Sequence, residues 1–131
     1  MAMVSLPHDP MIGFKRNKLD VVRGKYNEWA IEAILSSGAP IDLTGAVVHF
    51  TVWSKRKVRE QELTYWDPII DVSSNDPEVD VTDPAAGLLS IKLDRTTTEA
   101  IDPALYFYDL WYEESGLRID LIQKAEFRVQ E

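Results

Sequence analysis

The chain has 131 residues, of which 45% are hydrophobic and 27% are charged, as is typical of a soluble globular domain. The absence of cysteine excludes disulfides, thiolate metal ligands and cysteine nucleophiles. The net charge of −8 argues against a surface that binds nucleic acid. Because no apolar run approaches the roughly 20 residues of a membrane span and no signal-peptide pattern opens the sequence, we expect a soluble, unprocessed protein without membrane contacts.

The charge is unevenly distributed along the chain. Residues 1–62 carry nine basic and seven acidic side chains, whereas residues 63–131 carry five and fifteen. Charged runs of this kind usually form solvated faces, and less often they dock a partner of opposite sign. We therefore predict an electrically polar molecule.

Residues 1–17 are predicted to form an extended N-terminal arm without a regular element. Pro7 and Pro10 fix the backbone and remove amide donors, and neither a helical nor a strand period is present. The segment is nevertheless unusually apolar for one that stays in water, so we expect it either to be mobile or to order on a neighbouring subunit. The apolar residues that would make this contact include Leu6, Met11, Ile12 and Phe14.

Residues 18–131 are predicted to form one β-sandwich domain. Apolar and polar residues alternate with a period of two, and turn sequences separate the alternating runs, which is typical of a sandwich or barrel. Residues 26–35 fit both the helical and the strand period, and we predict a strand because no N-cap residue precedes them and a glycine-containing turn follows. The other alternating runs are 47–53, 88–94, 117–121 and 125–129.

Two local motifs refine this prediction. Ser115-Gly116 lies between two alternating runs and supplies the positive φ that a tight hairpin needs. Thr96 and Glu99 match a capping box, which predicts a single helical turn through Ile101 before Asp102-Pro103 ends it.

An aromatic strand at residues 105–112 is apolar on both faces. Tyr106, Tyr108, Leu110 and Tyr112 alternate with Leu105, Phe107 and Trp111. One face fills the core, and the other leaves Phe107 and Trp111 for a second contact, where His49 and Trp53 join them if the 47–53 strand is adjacent. We predict a protein interface at these four residues. The alternative is that the N-terminal arm or a loop at residues 55–72 covers them within the monomer.

No catalytic constellation or cofactor site is predicted. His8 and His49 lack a Ser or Asp partner nearby in the sequence, and neither a nucleophile elbow nor a phosphate-binding glycine loop is present. The best metal candidate is a weak Ca²⁺ site at Asp76, Glu78 and Asp80, although the spacing does not match an EF-hand. A solvated acidic edge is the favoured interpretation, so we expect neither an enzyme nor a metalloprotein.

Four segments in order resemble the immunoglobulin-like β-sandwich domain of bacteriophage virion proteins, as in the N-terminal domain of phage baseplate upper proteins and related small tail proteins. The resemblance covers about residues 18–130, and its most specific pieces are P-I-D-L-T-G-A and Y-F-Y-D-L. The chain departs from the family pattern at Ala104-Leu105, where a Pro-Gly-like pair is usual, and at Lys124-Ala125, where a glycine often precedes the last strand. The segments are 38–52, 85–93, 97–101 and 106–110.

The resemblance implies an antiparallel immunoglobulin-like sandwich, in which Gly45 allows a turn between sheets and Tyr106 forms a tyrosine corner. It also implies a structural tail or baseplate protein, assembled in the host cytoplasm, that contacts other virion proteins and copies of itself. No catalytic residue is carried over. A head decoration protein, a head–tail connector and a carbohydrate-binding module for host attachment remain as alternatives.

Overall fold

A computed structural model describes residues 2–5, 18–35, 37–58 and 63–131. The described residues form an all-β sandwich of two sheets, which confirms the predicted fold class. A 3₁₀ turn at Pro84–Ala86 and a single-turn helix α1 at Arg95–Glu99 complete it. The strands are β1 (Ala2–Ser5), β2 (Leu19–Val22), β3 (Asn27–Ile34), β4 (Val47–Val58), β5 (Leu63–Ser73), β6 (Val79–Asp83), β7 (Leu88–Leu93), β8 (Ala104–Glu114) and β9 (Leu117–Gln130).

One sheet has four strands in the order β1-β3-β7-β6, and the other has five in the order β2-β9-β8-β4-β5. The core lies between them and is built by the alternation seen in the sequence: Val48, Phe50 and Val52 are fully buried on β4. Tyr108 and Phe127 add two further buried rings of the five-stranded sheet. The inward positions of β3 and β7 complete the core with Ile31, Ala33, Leu89, Ile91 and Leu93.

Two strand pairs are parallel, a detail that the predicted antiparallel sandwich does not include. β1 pairs in parallel with β3, and β2 pairs in parallel with β9. A parallel pair needs a long connection, and both pairs have one, because other elements or long segments separate their strands in the chain.

The predicted strands at 117–121 and 125–129 are one continuous strand, β9. Its pairing with β8 shifts register at two places, between Tyr108 and Leu110 and between Leu110 and Trp111. These bulges rotate the alternation, so that the consecutive residues Leu121 and Ile122 are both buried. Leu117 belongs to the apolar set of the alternating run 117–121, but it is 67% exposed because it lies at the hairpin tip beyond the core.

The first part of the predicted arm belongs to the sandwich. Ala2–Ser5 form edge strand β1, so the absence of a regular element predicted for residues 1–17 is wrong for these four residues. Leu6, Met11, Ile12 and Phe14 lie outside the described residues, and their predicted contact with a neighbour remains untested.

The predicted loop at residues 55–72 is mostly strand. β4 continues to Val58 and β5 begins at Leu63, so the two strands form a hairpin. β8 pairs with β4 only as far as Trp53, and the last residues of β4 therefore pair with β5 alone. The described part of this hairpin is a two-stranded extension of the five-stranded sheet.

The predicted turns are confirmed, with one change. Gly45 has a φ of 76°, and Ser115 and Gly116 both have positive φ in the tight β8–β9 hairpin. The Tyr106 hydroxyl donates to the Asp102 carbonyl at 2.7 Å, as a tyrosine corner does. The predicted helical turn exists, but its N-cap is Asp94 rather than Thr96, because the Asp94 carboxylate accepts a hydrogen bond from the Thr97 amide at 2.7 Å.

Within the described residues, no helix has the length and apolar character needed to cross a membrane.

Candidate protein-interaction face

The four residues predicted to form an interface meet on the outer face of the five-stranded sheet. β4 and β8 are neighbours, with His49 opposite Trp111 and Trp53 opposite Phe107. Directly opposite residues of an antiparallel pair point to the same side, and the inward positions between them fill the core. All four side chains are half-buried, so the surface around them is only partly open to solvent.

At one end of this face, three side chains pack across three strands. The His49 and Trp111 rings stack with centroids 3.9 Å apart and planes 6° from parallel. The Arg118 guanidinium of β9 lies 4.2 Å from the Trp111 ring centroid and also pairs with Asp120. His49 Nε2 lies 3.2 Å from Glu113 Oε1, but it forms no aligned hydrogen bond there.

At the other end, three aromatic rings pack beneath two lysines. Trp66 of β5 meets Phe107 edge to face at 5.5 Å. Lys55 Nζ lies 5.7 Å from the Trp66 centroid and 5.8 Å from the Phe107 centroid, while Lys124 Nζ lies 4.8 Å from the Trp53 centroid. Cations at these distances are attracted by the ring faces, so this end combines apolar area with positive charge.

A buried carboxylate anchors the centre of the face. Asp109 occupies an outward position of β8 yet is only 3% exposed. Its Oδ2 accepts hydrogen bonds from Trp53 Nε1 at 2.9 Å and from Lys124 Nζ at 2.6 Å, and its Oδ1 accepts one from the Lys124 backbone amide at 2.8 Å. These three donors compensate the cost of burying the charge and fix the position of Trp53.

The same contacts explain how a lysine occupies a left-handed backbone position. Lys124 has a φ of 49° at the β9 bulge, where the resembling family often has glycine. A side chain in this conformation is strained, and the bonds from the Lys124 amide and ammonium to Asp109 offset that strain.

The described side chains of this face combine large aromatic rings with polar and charged neighbours. Among the described side chains of the face, the aromatic rings pack against each other or against cations, and the one buried carboxylate is held by three donors. His49 stacks on the Trp111 indole and approaches the Glu113 carboxylate. Large apolar side chains with polar and charged neighbours are what interface centres contain.

Sequence reasoning missed four contributors to this face. Trp66 lies in the segment predicted to be a loop, and Lys124, Arg118 and Asp109 are not among the predicted interface residues. The β-branched and aromatic residues Thr64, Tyr65 and Trp66 are a weak strand signal. No local signal marks Asp109, because its partners lie far from it in the chain.

The acidic segment is not gathered into a metal site. Asp76 accepts a hydrogen bond from the Ser73 amide at 2.9 Å, and Asp80 forms an ion pair with Lys92 at 3.3 Å. In the part of the chain that the structure describes, no group of three or more His, Asp or Glu residues could hold a metal ion. The weak Ca²⁺ candidate at Asp76, Glu78 and Asp80 therefore gains no support.

No protein-family model matches the chain, and no curated protein matches it. Among solved structures, the chain is similar to the N-terminal domain of phage TP901-1 ORF48, with 13% sequence identity and a TM-score of 0.43. This similarity covers 98% of the chain and 97% of the other chain. At this level of identity and TM-score it carries no conclusion about function.

Proposed function

We propose that this protein is a structural component of a bacteriophage virion, associated with the tail or baseplate, and that it works through protein–protein contacts of the outer face described above. The proposal assigns it no catalytic step and no cofactor. The arm residues Leu6, Met11, Ile12 and Phe14 are proposed as a second contact with a neighbouring subunit.

The observation that carries the proposal is the position of the aromatic residues. Trp53, Trp66, Phe107 and Trp111 lie on the side of the sheet that faces away from the core, although the core is already complete without them. Aromatic side chains bury large areas with few rotors, and they are enriched at interface centres. A second layer of rings outside the core is therefore best explained by a second contact.

The sequence motifs support the virion part of the proposal. Gly45, Tyr106 and Lys124 lie at the positions where the resembling family has its characteristic turn, tyrosine corner and last-strand glycine. Each takes the conformation or the bond that the motif requires.

Protein contact is favoured over sugar binding by the packing of the rings. A sugar stacks on an open ring face, whereas Lys55 and Lys124 lie over the Trp66, Phe107 and Trp53 rings, and Arg118 lies over Trp111. A glycan array is the direct comparison: strong, selective binding there would overturn the present proposal in favour of a host-attachment module.

The proposed location can be tested on purified particles of the phage from which the chain comes. Antibodies against this chain, detected by immunogold electron microscopy, are expected to label the tail tip, and mass spectrometry of the particles is expected to detect the chain. Label on the capsid or at the neck would assign the protein to head decoration or to the connector instead. Absence from the particles would contradict a virion role.

The proposed face is tested with Trp66→Ala, supplied in trans to particles that lack the wild-type chain. The substitution removes a half-buried ring from the face but no hydrogen bond to Asp109, so the domain is expected to fold while its incorporation falls. Tyr65→Ala is the matched control, because Tyr65 is the adjacent aromatic residue on the opposite side of β5. Equal incorporation of the two variants would contradict the assignment of the face.

A further inference from the structure

The outer face of the four-stranded sheet differs in character from the face that carries the aromatic rings. Its outward-facing residues lie on β3, β6 and β7. They are the neighbours along each strand of buried residues such as Ile31 and Ile91, because successive side chains of a strand point to opposite sides. We call this surface the acidic face, and we call the end of the outer face of the five-stranded sheet at which Lys55 lies over Trp66 and Phe107 the cationic aromatic face. The acidic face includes Glu28, Ala30, Glu32, Asp80, Leu88, Ser90 and Lys92, and the cationic aromatic face includes Trp53, Lys55, Trp66, Phe107, Asp109 and Lys124.

The charges of the acidic face are largely uncompensated. Of Glu28, Glu32 and Asp80, only Asp80 has an ion-pair partner among the described residues, namely Lys92 at 3.3 Å. Glu28 accepts a hydrogen bond from the Tyr26 hydroxyl at 2.6 Å, which leaves its negative charge in place. The net charge of this face is therefore negative.

The cationic aromatic face carries a complementary unpaired charge. Lys124 is neutralised by Asp109, but Lys55 has no ion-pair partner in the described ranges and lies exposed above Trp66 and Phe107. An ammonium held over two rings beside a buried ion pair is positioned to receive a carboxylate from outside the molecule.

The two faces are also complementary in side-chain size. At the centre of the acidic face, Ala30 lies directly opposite Ser90 in the β3–β7 register, with Glu28 and Glu32 one outward position away on either side. The small side chains of Ala30 and Ser90 thus lie between longer ones, while Trp66 and Phe107 are the bulky side chains of the other face. Two sheets can interdigitate when large side chains of one face lie against small side chains of the other.

We propose that the cationic aromatic face binds the acidic face of a second copy of this chain, so that sandwiches stack head to tail. The two faces lie on opposite sides of one sandwich and cannot meet within one copy. The contact is therefore heterologous, and it generates a ring where the rotation closes and a filament where it does not. This inference rests on the proposed function, since it names the partner of the same face.

The test uses the full chain in sedimentation equilibrium at low and high salt. The wild-type mass is expected to rise above that of a dimer with concentration at low salt and to fall with added salt, because exposed charge pairs are screened. Lys55→Glu alone and the double variant Glu28→Lys/Glu32→Lys alone are each expected to weaken association about tenfold or more, since like charges then oppose each other.

Mixing the two variants gives the decisive result. Each variant has two faces of like sign, but the mixture offers opposite signs at both contacts, so equimolar mixing is expected to restore association through alternating copies. Arg95→Glu and Glu99→Lys are the matched charge controls, because both residues lie exposed on α1, away from either sheet face. Both controls are expected to associate as the wild type does.

Three outcomes would overturn the inference: a wild type that stays monomeric at all concentrations, a mixture that fails to associate, or a mass that stops at a dimer and is insensitive to the Glu28→Lys/Glu32→Lys change. The last outcome would indicate a symmetric dimer through the aromatic face. If the wild type is monomeric but Trp66→Ala lowers incorporation into particles, the proposed function stands and the face has a different partner. If the wild type is monomeric and Trp66→Ala leaves incorporation unchanged, the inference and the proposed function both fail.

Discussion

At the scale of single residues, Asp109 is the organising group of the outer face. It joins β4 to β9 by accepting hydrogen bonds from the Trp53 indole and from both nitrogens of Lys124. An aspartate at an outward strand position normally faces water, but here rings and the Lys124 stem cover it. The carboxylate thereby orients the indole and supports the left-handed residue at the bulge.

Replacing Asp109 should therefore be costly. Asp109→Ala leaves three donors without their acceptor and is expected to lower the free energy of unfolding by about 2–4 kcal/mol. Urea denaturation measures this change. Asp67→Ala is the control, because the Arg56–Asp67 ion pair is exposed and should contribute less than about 1 kcal/mol. Similar losses for both variants would show that Asp109 is no anchor.

At the scale of elements, the sandwich depends on a crossing point where three backbone segments meet. The Ala33 amide donates to the Gly87 carbonyl at 2.8 Å, and the Ile41 amide donates to the Ala33 carbonyl at 2.9 Å. Gly87 follows the 3₁₀ turn with a φ of 70°. The end of β3, the start of β7 and the chain before β4 are therefore held together at a glycine.

Gly87 is expected to tolerate no side chain. A Cβ at this position would lie 2.5 Å from the Ala33 carbonyl oxygen and 2.8 Å from that of Ile41, and both contacts are with backbone. Gly87→Ala should destabilise the protein by roughly 3 kcal/mol or more, through this clash added to the left-handed strain.

Gly45→Ala provides the matched comparison for thermal denaturation. Gly45 also has a left-handed φ of 76°, but a Cβ at this position would meet nothing within 4 Å. Its cost should be limited to backbone strain of about 1–2 kcal/mol. If the two variants melt at the same temperature, the crossing point is not tightly packed.

The cap of α1 should make stability depend on pH in the acid range. Hydrogen bonds from Thr97, first from its backbone amide, lower the pKa of Asp94 below its ordinary value of 3.8. Because the folded-state pKa is the lower one, this stabilisation is present above about pH 4 and is lost as the pH falls through the folded-state pKa.

Thermal melts of wild type and Asp94→Ala from pH 2 to pH 7 check this dependence. The wild type should melt at the higher temperature near neutral pH, and the difference should shrink below about pH 4. Asp94→Asn keeps an oxygen acceptor without titrating, so its difference from Asp94→Ala should not vary with pH. A wild-type advantage that persists unchanged at pH 2 would contradict the cap assignment.

At the scale of the whole molecule, the core is closed by tyrosines from one strand. Burial raises the pKa of Tyr106, Tyr108 and Tyr112, most strongly for Tyr108, which lies between Phe50 and Phe127. Their hydroxyls ionise more readily in the unfolded chain than in the folded protein. Outside this core, the acidic face of one sheet and the cationic aromatic end of the other make the two sides of the sandwich chemically different.

The buried tyrosines should limit stability at alkaline pH. Since the folded-state pKa lies above the unfolded value of about 10, their contribution is intact below pH 10 and decreases as the pH rises above it. Urea unfolding between pH 8 and pH 11 should show this decrease, and Tyr108→Phe should make the slope above pH 10 shallower. The slopes of the two proteins should agree below pH 9. An unchanged slope above pH 10 would show that Tyr108 does not control the alkaline limit.

Features encoded by neighbouring residues were predictable. The alternation of Val48, Phe50 and Val52 specified an inward face, and Ser115-Gly116 specified a hairpin, because side-chain direction and turn conformation depend on adjacent residues. The meeting of His49, Trp53, Phe107 and Trp111 also followed, since it required only that two predicted strands be neighbours.

The sequence by itself determined an all-β chain, its turns and the sign of its charge, because strand period, glycine positions and ionisable residues are local properties. Only the tertiary structure decided that β2 pairs in parallel with β9, that Trp66 joins the aromatic residues, and that Asp109 is buried at an outward position. Each of these depends on register and bulges between strands far apart in the chain, where a shift of one residue reverses the direction of every side chain.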